Sequence, residues 1–241
     1  MDEILKGPMG TRGSGWIRPL IRATLFGVAL LLGIIALLGF LFFREAILDL
    51  TFVPTDAMKP SIQAGDHVVI NRIAYGLKIP LTPYWIFRRA NPQRGEIVVL
   101  LSPQDGKRIL KRIVALPGET VEVRRYGVII DGVAAEYSRT ESTFAPWLDR
   151  EEDESADFVI ESLYEVQYPI GVVNRAPLVS LSRGPLEIPP GHYFVLGDAR
   201  YNSLDSRFFG TVPLEHITGK ATHVLRRSSG HWDTLQPIPN D

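Results

Sequence analysis

The stretch VPTDAMKPSI occupies residues 53–62, and the rest of the chain is organised around it. It follows the only apolar run long enough for a membrane and opens the part of the chain that is expected to fold. Two later segments make sense beside it, RILKRIV at residues 108–114 and GDARYNSLDSR at residues 197–207. We name these segments block 1 (53–62), block 2 (108–114) and block 3 (197–207).

The bulk composition is that of an ordinary globular protein. The chain has 241 residues, of which 45% are hydrophobic and 22% charged, enough for one large or two modest domains. A net charge of -1 gives no long-range field to attract nucleic acid, so no nucleic-acid partner is expected. The absence of cysteine excludes disulfides, thiolate zinc sites and cysteine nucleophiles. We expect no cofactor and no metal.

An uncharged apolar run covers residues 23–43. At about 1.5 Å per residue it reaches across the roughly 30 Å of a bilayer core, which predicts one N-terminal transmembrane helix. A cleavable signal peptide is the alternative, but its apolar region is shorter and ends in small residues, whereas this run ends in FLFFRE. The basic excess in residues 1–22 predicts a cytoplasmic N-terminal segment and places residues 44–241 outside the cytoplasm.

After the apolar run, short β-rich segments alternate with turns, so a mainly β domain is expected. An Asp-Gly pair at residues 131–132 predicts a tight hairpin turn. The strand candidates are residues 67–70, 96–100, 109–115, 121–123, 128–130 and 193–196.

The pattern weakens between about residues 134 and 183, where we expect a smaller inserted subdomain. The acidic run at residues 151–154 is interpreted as a solvated loop, because nothing spaces its carboxylates around a common point as a metal would require. The aromatic stretch at residues 75–87 has two open interpretations. It either covers the core or forms a surface that dips into the bilayer interface, where Trp and Tyr are favoured.

Block 2 places a lysine among apolar strand residues. Alternation along a strand puts Lys111 on the same face as Ile109 and Ile113, while Arg112 points the other way. Burial on an apolar face favours the neutral amine, which can then act as a general base. The ordinary alternative is a lysine on a solvated sheet face.

Taken in this order, the three blocks resemble the motifs of the bacterial signal peptidase I (leader peptidase) family, membrane-bound proteases that use a serine and a lysine. The resemblance covers about residues 50–226 and implies a signal peptidase-like β domain with an inserted subdomain. The implied activity is removal of signal peptides from exported preproteins after small-x-small sites of the Ala-x-Ala type. The implied partners are these preproteins and the lipid bilayer of the bacterial inner (cytoplasmic) membrane, with the secretion translocon as a further candidate.

The resemblance also assigns roles to single residues. Lys111 takes the position of the general base, and Thr55 that of a hydroxyl which holds the oxyanion together with the backbone N–H of Ala57. Ser203 matches a serine that hydrogen-bonds and orients the lysine. Asp205 and Arg207 match a pair that braces block 3 against the site.

One departure falls on the central residue, because Ala57 stands where the family has its nucleophilic serine. The chain as written is therefore expected to be inactive or nearly so. Thr55 and Ser61 carry hydroxyls that could attack instead, but neither occupies the nucleophile position. A second departure is Ala199, where the family more often has Asn, and we expect it to affect loop geometry only.

Two explanations of Ala57 stay open. It is either a substitution made to trap substrate or prevent self-cleavage, or the mark of a naturally inactive homologue. The alternative function is accordingly a non-catalytic homologue that binds preproteins or regulates secretion. A third hypothesis, from a different class, is a membrane-anchored β scaffold that presents a binding surface.

Overall fold

The computed structural model describes residues 17–78, 85–124, 127–139, 157–172, 182–228, 231–232 and 236–238. The chain divides into two compact units, Met1–Glu45 and Ala46–Asp241. The acidic run at residues 151–154 lies outside the described residues, as do residues 1–16 and much of the expected insertion.

The described residues of the first unit belong to the helix α1 (Ile17–Ile47), whose last residues lead into the second unit. It contains the helix expected over residues 23–43 and extends it at both ends, since arginine and isoleucine can both continue a helix. The side chains of α1 at residues 22–37 and 39 are exposed, whereas Ile47 at its end is half-buried. Within the described part of the chain, no helix combines the length and the hydropathy needed to cross a membrane.

The second unit is mainly β, as predicted. Its described residues also form a short helix, α2 (Ser206–Phe209), and a 3-10 turn (Leu214–His216). The strands are β1 (Leu48–Phe52), β2 (His67–Asn71), β3 (Gly76–Lys78), β4 (Trp85–Arg88), β5 (Ile97–Leu101), β6 (Arg108–Ala115), β7 (Thr120–Arg124), β8 (Gly127–Ile130), β9 (Val133–Ala134), β10 (Glu136–Arg139), β11 (Asp157–Leu163), β12 (Val166–Val172), β13 (Arg183–Glu187), β14 (His192–Leu196), β15 (Val212–Pro213), β16 (Ile217–Leu225), β17 (Arg227–Ser228), β18 (His231–Trp232) and β19 (Gln236–Pro237).

The largest sheet runs in the order β1-β2-β16-β5-β6-β14-β15, with β19 also paired to β16. Its neighbouring strands are antiparallel. Block 2 lies within β6, inside this sheet, and β14 leads directly into block 3. The other sheets are β13-β7-β8-β9, β10-β11-β12, β3-β4 and β17-β18.

All six strand candidates are confirmed, with ends that differ by at most one residue. The expected hairpin is also present between β8 and β9, where Asp131 and Gly132 have φ angles of 48° and 80°. The sequence analysis missed β16, because Gly219 and Lys220 interrupt its apolar pattern. Gly219 is needed there, since a Cβ at this position would collide with Ile70 and with the backbone of the next residue in β2.

An apolar cluster beneath block 1 fixes that block to the sheet. Val53, Met58 and Ile62 are buried with residues of β2, β5 and β16, and Leu110 of block 2 packs against the same cluster. Each fully buried side chain of this size contributes roughly 1.5–3 kcal/mol. Blocks 1 and 2 are therefore held together through shared core packing.

The aromatic stretch at residues 75–87 was expected either to cover the core or to form an exposed surface, and its described residues include some of each kind. Tyr75 is buried in a core cluster and Trp85 packs against that cluster, so part of the stretch covers the core. Ile86 and Phe87 of β4 are exposed by more than half. Residues 79–84, including Tyr84, lie outside the described residues.

Candidate active site

Block 1 is a turn that joins β1 to β2. The Asp56 carboxylate accepts a hydrogen bond from the backbone N–H of Ala64 (2.9 Å), and the N–H of Lys59 donates to the Asp56 carbonyl (3.0 Å). Because Met58 is buried in the cluster below, Ala57 lies at the boundary between core and surface and is partly exposed. Thr55, two residues earlier, is exposed. Thr55 and Ala57, the two residues expected to hold the oxyanion, are thus both accessible to solvent.

Lys111 lies in β6 opposite Val98 of β5 and is only 4% exposed. Its Nζ donates one hydrogen bond, to the carbonyl of Leu110 (2.9 Å). Burial lowers the pKa of Lys111 from its ordinary value of 10.5 to about 8, against the opposing pull of Asp205 and Asp198. The amine is therefore far easier to deprotonate near neutral pH than that of a solvated lysine.

Block 3 supplies the charges that face Lys111. Besides Asp205 and Asp198, Arg207 acts on the amine and lowers its pKa further. Each of the two carboxylates is already paired with an arginine, Asp198 with Arg112 and Asp205 with Arg207. Because the carboxylates are neutralised in this way, burial remains the larger influence on the lysine.

A buried cluster of three side chains joins all three blocks. Arg112 of block 2 donates to both oxygens of Asp198 in block 3, at 2.8 Å from Nε and 2.7 Å from Nη2. Ser61 of block 1 accepts from Arg112 Nη2 (3.0 Å) and donates to Asp198 (2.5 Å). Arg112 Nη1 donates to the carbonyl of Gly95 (2.6 Å), so the guanidinium is well satisfied. The side chain of Arg112 does point away from the Lys111 face, but into the protein.

Block 3 is closed on itself by the pair of Asp205 and Arg207. Arg207 donates to the two oxygens of Asp205 from Nε (2.8 Å) and Nη2 (2.7 Å), and from Nη1 to the carbonyl of Arg200 (2.9 Å). The Asp205 carboxylate also accepts from the backbone N–H of Gly197 (3.1 Å) and caps α2. Contacts within block 3 therefore hold the shape of this loop, in addition to its contacts with blocks 1 and 2.

Block 3 touches block 1 at a close backbone approach. The N–H of Ala199 donates to the carbonyl of Ala57 (3.2 Å). A Cβ at Gly197 would collide with Ser203 Oγ and with the same Ala57 carbonyl, so only glycine fits between them. The backbone of residue 57 is thus held directly by block 3.

Ser203 differs from what the resemblance implies. Its Oγ is buried beside Gly197 and forms no hydrogen bond, so the expected bond to Lys111 is not made. Lys111 donates to the adjacent carbonyl of Leu110 instead, which a lysine side chain can reach by folding back along its own strand. The hydroxyl of Ser61 is engaged in the buried cluster and is not free to attack.

The sequence analysis missed the joint role of Arg112 and Asp198. The usable signal was a charged residue in each of two segments that were expected to converge, since buried charges are stable only in pairs. This signal was not used, because the alternation of side chains along a strand does not show whether its second face is exposed to solvent or covered by other residues.

Comparison with known proteins assigns the family. The sequence matches the family described as "Signal peptidase, peptidase S26" over residues 25–225. Relatives include the signal peptidase I proteins of Pseudomonas fluorescens (31% identical, 71% of this chain and 62% of the relative) and Pseudomonas aeruginosa (32%, with the same coverage). The signal peptidase I of Aquifex aeolicus is 31% identical over 83% of this chain and 84% of the relative.

A solved signal peptidase I from Enterococcus faecalis is 34% identical over 54% of this chain and 97% of its own, with a TM-score of 0.32, too low for a comparison of folds. This chain spans 62% of the length of the two Pseudomonas relatives. The family match covers most of the chain, and the family is one of peptidases. The chain belongs to the signal peptidase family, peptidase S26.

Proposed function

We propose that the chain is a signal peptidase I-like endopeptidase in which Ala57 replaces the serine nucleophile, so that it binds signal-peptide ends but cleaves them little or not at all. The observation that carries the proposal is Lys111, a buried amine whose pKa is lowered to about 8 and which faces the same loop that holds residue 57. A buried lysine without a salt bridge is destabilising, and general-base catalysis is a reason for a protein to keep one.

The mechanism follows once a serine stands at position 57. The serine hydroxyl attacks the scissile carbonyl and gives its proton to neutral Lys111, while the oxyanion accepts hydrogen bonds from the N–H of residue 57 and the hydroxyl of Thr55. The lysine passes the proton to the departing amine, which leaves an acyl-enzyme. A water molecule then loses a proton to Lys111 and attacks the ester carbonyl. Lys111 gives that proton to the serine Oγ as the ester bond breaks, which releases the acid and restores the serine hydroxyl and the neutral amine.

The substrate proposal is an extended segment ending in small residues of the Ala-x-Ala type. Strand β1 lies at the end of the largest sheet and runs into block 1 within a few residues. An extended peptide that adds to such an edge gains main-chain hydrogen bonds and is carried past residue 57. At the surface, Arg108 of β6 donates to Asp49 of β1 (2.6 Å), so the end of β6 that carries block 2 lies near β1.

We also propose a location in the bacterial inner (cytoplasmic) membrane, with residues 1–22 cytoplasmic, residues 23–43 as the anchor and residues 44–241 outside the cytoplasm. The support is the lack of charge over the anchor and the exposure of its described apolar side chains, such as Leu25 and Phe26. An anchor of this kind keeps the site at the surface where signal peptides emerge.

The alternative is a non-catalytic homologue that binds preproteins or regulates secretion, and Ala57 is the observation that favours it. Restoring the hydroxyl separates the two. The Ala57→Ser protein should cleave an Ala-x-Ala preprotein at its signal-peptide junction, whereas Ala57→Ser combined with Lys111→Met should not. A folded Ala57→Ser protein that binds the preprotein without cleaving it would instead support the binding function.

A further inference from the structure

The sheet β10-β11-β12 carries a buried charge that does not belong to the proposed chemistry. Glu161 of β11 is 0% exposed, and both of its oxygens are saturated with donors. It accepts from Tyr137 (2.8 Å) and Tyr168 (2.7 Å), and from Arg200 Nη1 (2.7 Å) and Nη2 (2.5 Å). Burial alone would raise the pKa of Glu161, but Arg200 and the tyrosine hydroxyls lower it, so the carboxylate stays ionised.

The partner of this carboxylate, Arg200, belongs to block 3. The backbone of the same residue donates to the carbonyl of Gly171 in β12 (3.0 Å), and the N–H of Gly171 donates to the carbonyl of Asp198 (2.9 Å). Gly171 and Ala199 form a parallel bridge, so residues 198–200 lie along the edge of β12 as a short added strand. A Cβ at Gly171 would come within 3.0 Å of the Tyr201 ring, so the approach is close.

Two paths lead from Glu161 to the residue next to Lys111. In the first path, Glu161 binds Arg200, which belongs to the same segment as Asp198, and Asp198 accepts two hydrogen bonds from Arg112. In the other, Tyr168 donates its hydroxyl to Glu161, while its ring lies 4.4 Å from the Arg112 guanidinium. Both paths end on Arg112, which follows Lys111 in β6, and the first also holds Ala57 through Ala199.

We propose that Glu161 is a positioning residue for the candidate active site: it fixes residues 198–200 on the edge of β12. It thereby holds Asp198 against Arg112, the neighbour of Lys111 in β6, and Ala199 against residue 57. The three-stranded sheet is then a support for block 3. Removal of the carboxylate leaves the Arg200 charge buried without its partner, which a protein avoids by moving the charge to water. Block 3 would leave β12 with it, and water would reach Lys111. The kinetic part of this inference rests on the proposed function, whereas the structural part does not.

The test measures the titration of Lys111 itself, by NMR of the 13C-labelled Lys111 Cε in the full-length protein, assigned through Lys111→Arg. Glu161→Gln should move the midpoint upward by about one pH unit, because burial is the main cause of its present value. Tyr168→Phe removes only one hydroxyl and should shift the midpoint in the same direction by a smaller amount. It serves as the second variant if Glu161→Gln does not fold.

Tyr75→Phe is the matched control. Tyr75 is also buried and donates to a carboxylate, Glu96, at the same distance of 2.7 Å, and Lys220 pairs with that carboxylate as Arg200 does with Glu161. Among the described residues, Tyr75 and Glu96 make no side-chain hydrogen bond to block 3. The control should therefore lose similar stability and leave the Lys111 midpoint in place.

An unchanged midpoint in Tyr168→Phe, or an equal shift in Tyr75→Phe, would overturn the positioning role. In the Ala57→Ser background, the pH profile of kcat/KM should move with the midpoint. If the midpoint moves but Ala57→Ser never cleaves, the positioning role stands and the proposed protease function fails. If Ala57→Ser restores cleavage but neither Glu161→Gln nor Tyr168→Phe moves the Lys111 midpoint, the proposed protease function stands and the positioning role fails.

Discussion

Arg112, which follows Lys111 in the chain, forms a bidentate ion pair with Asp198 in which each side chain is only 1% exposed. A buried pair of this kind adds little net stability, because the gain in Coulomb energy is offset by the loss of hydration. It does fix geometry, because neither partner can move without leaving the other charge buried and alone. The relationship therefore explains how two segments distant in sequence are held at one place.

Breaking that pair should be costly. Asp198→Asn leaves Arg112 buried without a countercharge and should lower the free energy of unfolding by about 3–5 kcal/mol, measured by urea denaturation. Asp105→Asn is the control, because Asp105 pairs with Lys107 at 3.0 Å on the surface and its loss should have no measurable effect. Equal effects of the two substitutions would contradict the buried role.

The buried amine of Lys111 should itself destabilise the protein below pH 8. A pKa lowered from 10.5 to about 8 means that the unfolded chain binds the proton more tightly, at a cost of roughly 3 kcal/mol at pH 7. Lys111→Met should therefore be more stable than the parent at pH 7 by about that amount. The difference should shrink from pH 8 upward and vanish near 10.5. Lys107→Met, at a largely exposed position, should show no such trend.

In the Ala57→Ser protein, cleavage should depend on the neutral form of Lys111. The value of kcat/KM should rise about tenfold per pH unit below the pKa of about 8 and level off above it. Initial rates on an Ala-x-Ala preprotein between about pH 6 and pH 9 measure this. A profile that is flat across the range would exclude Lys111 as the base.

Thr55 should matter for rate and little for folding. Because its side chain is exposed, Thr55→Val in the Ala57→Ser background should leave the unfolding midpoint unchanged. If its hydroxyl holds the oxyanion, kcat should fall by about 10² to 10³. A change in KM with kcat intact would instead place Thr55 in substrate binding.

Gly197 should tolerate no side chain. Gly197→Ala would push Ser203 and the Ala57 carbonyl apart, and should abolish cleavage by the Ala57→Ser protein and lower its stability. Gly184→Ala is the matched control, since nothing lies within 4 Å of a Cβ there and its backbone needs no positive φ. If both substitutions are equally mild, blocks 1 and 3 do not approach each other closely at Gly197.

Much of the β fold could be read from the sequence, because β-branched runs between turn residues are a local signal. The hairpin at Asp131 and Gly132 is the clearest case, since the residue types set the backbone angles. Strand β16 was not predicted from the sequence. Its Gly219 is required by the close approach of the neighbouring strand β2, and a local sequence pattern does not reveal such an approach. The burial of Lys111 was predictable from its apolar neighbours at positions 109 and 113.

The surroundings of Arg112 could not be predicted in the same way. Its covering residue, Tyr168, comes from the region between residues 134 and 183, where the sequence pattern is weak. Block 3, which contains Ser203, is likewise held by a long-range contact, the hydrogen bond from the N–H of Ala199 to the carbonyl of Ala57. The roles carried by Ala57, Thr55, Ser203, Asp205 and Arg207 in catalysis stay predictions.

The hydrogen bond between Ser61 and Asp198 joins residues that are 137 positions apart. On the ribosome, the first of them emerges long before the second, and at typical translation speeds of about 5–20 residues per second the delay lasts many seconds. During that interval Lys111 lacks the carboxylates that face it in the finished protein. The site is thus completed late in synthesis, and a nascent or stalled chain carries the lysine without its working surroundings.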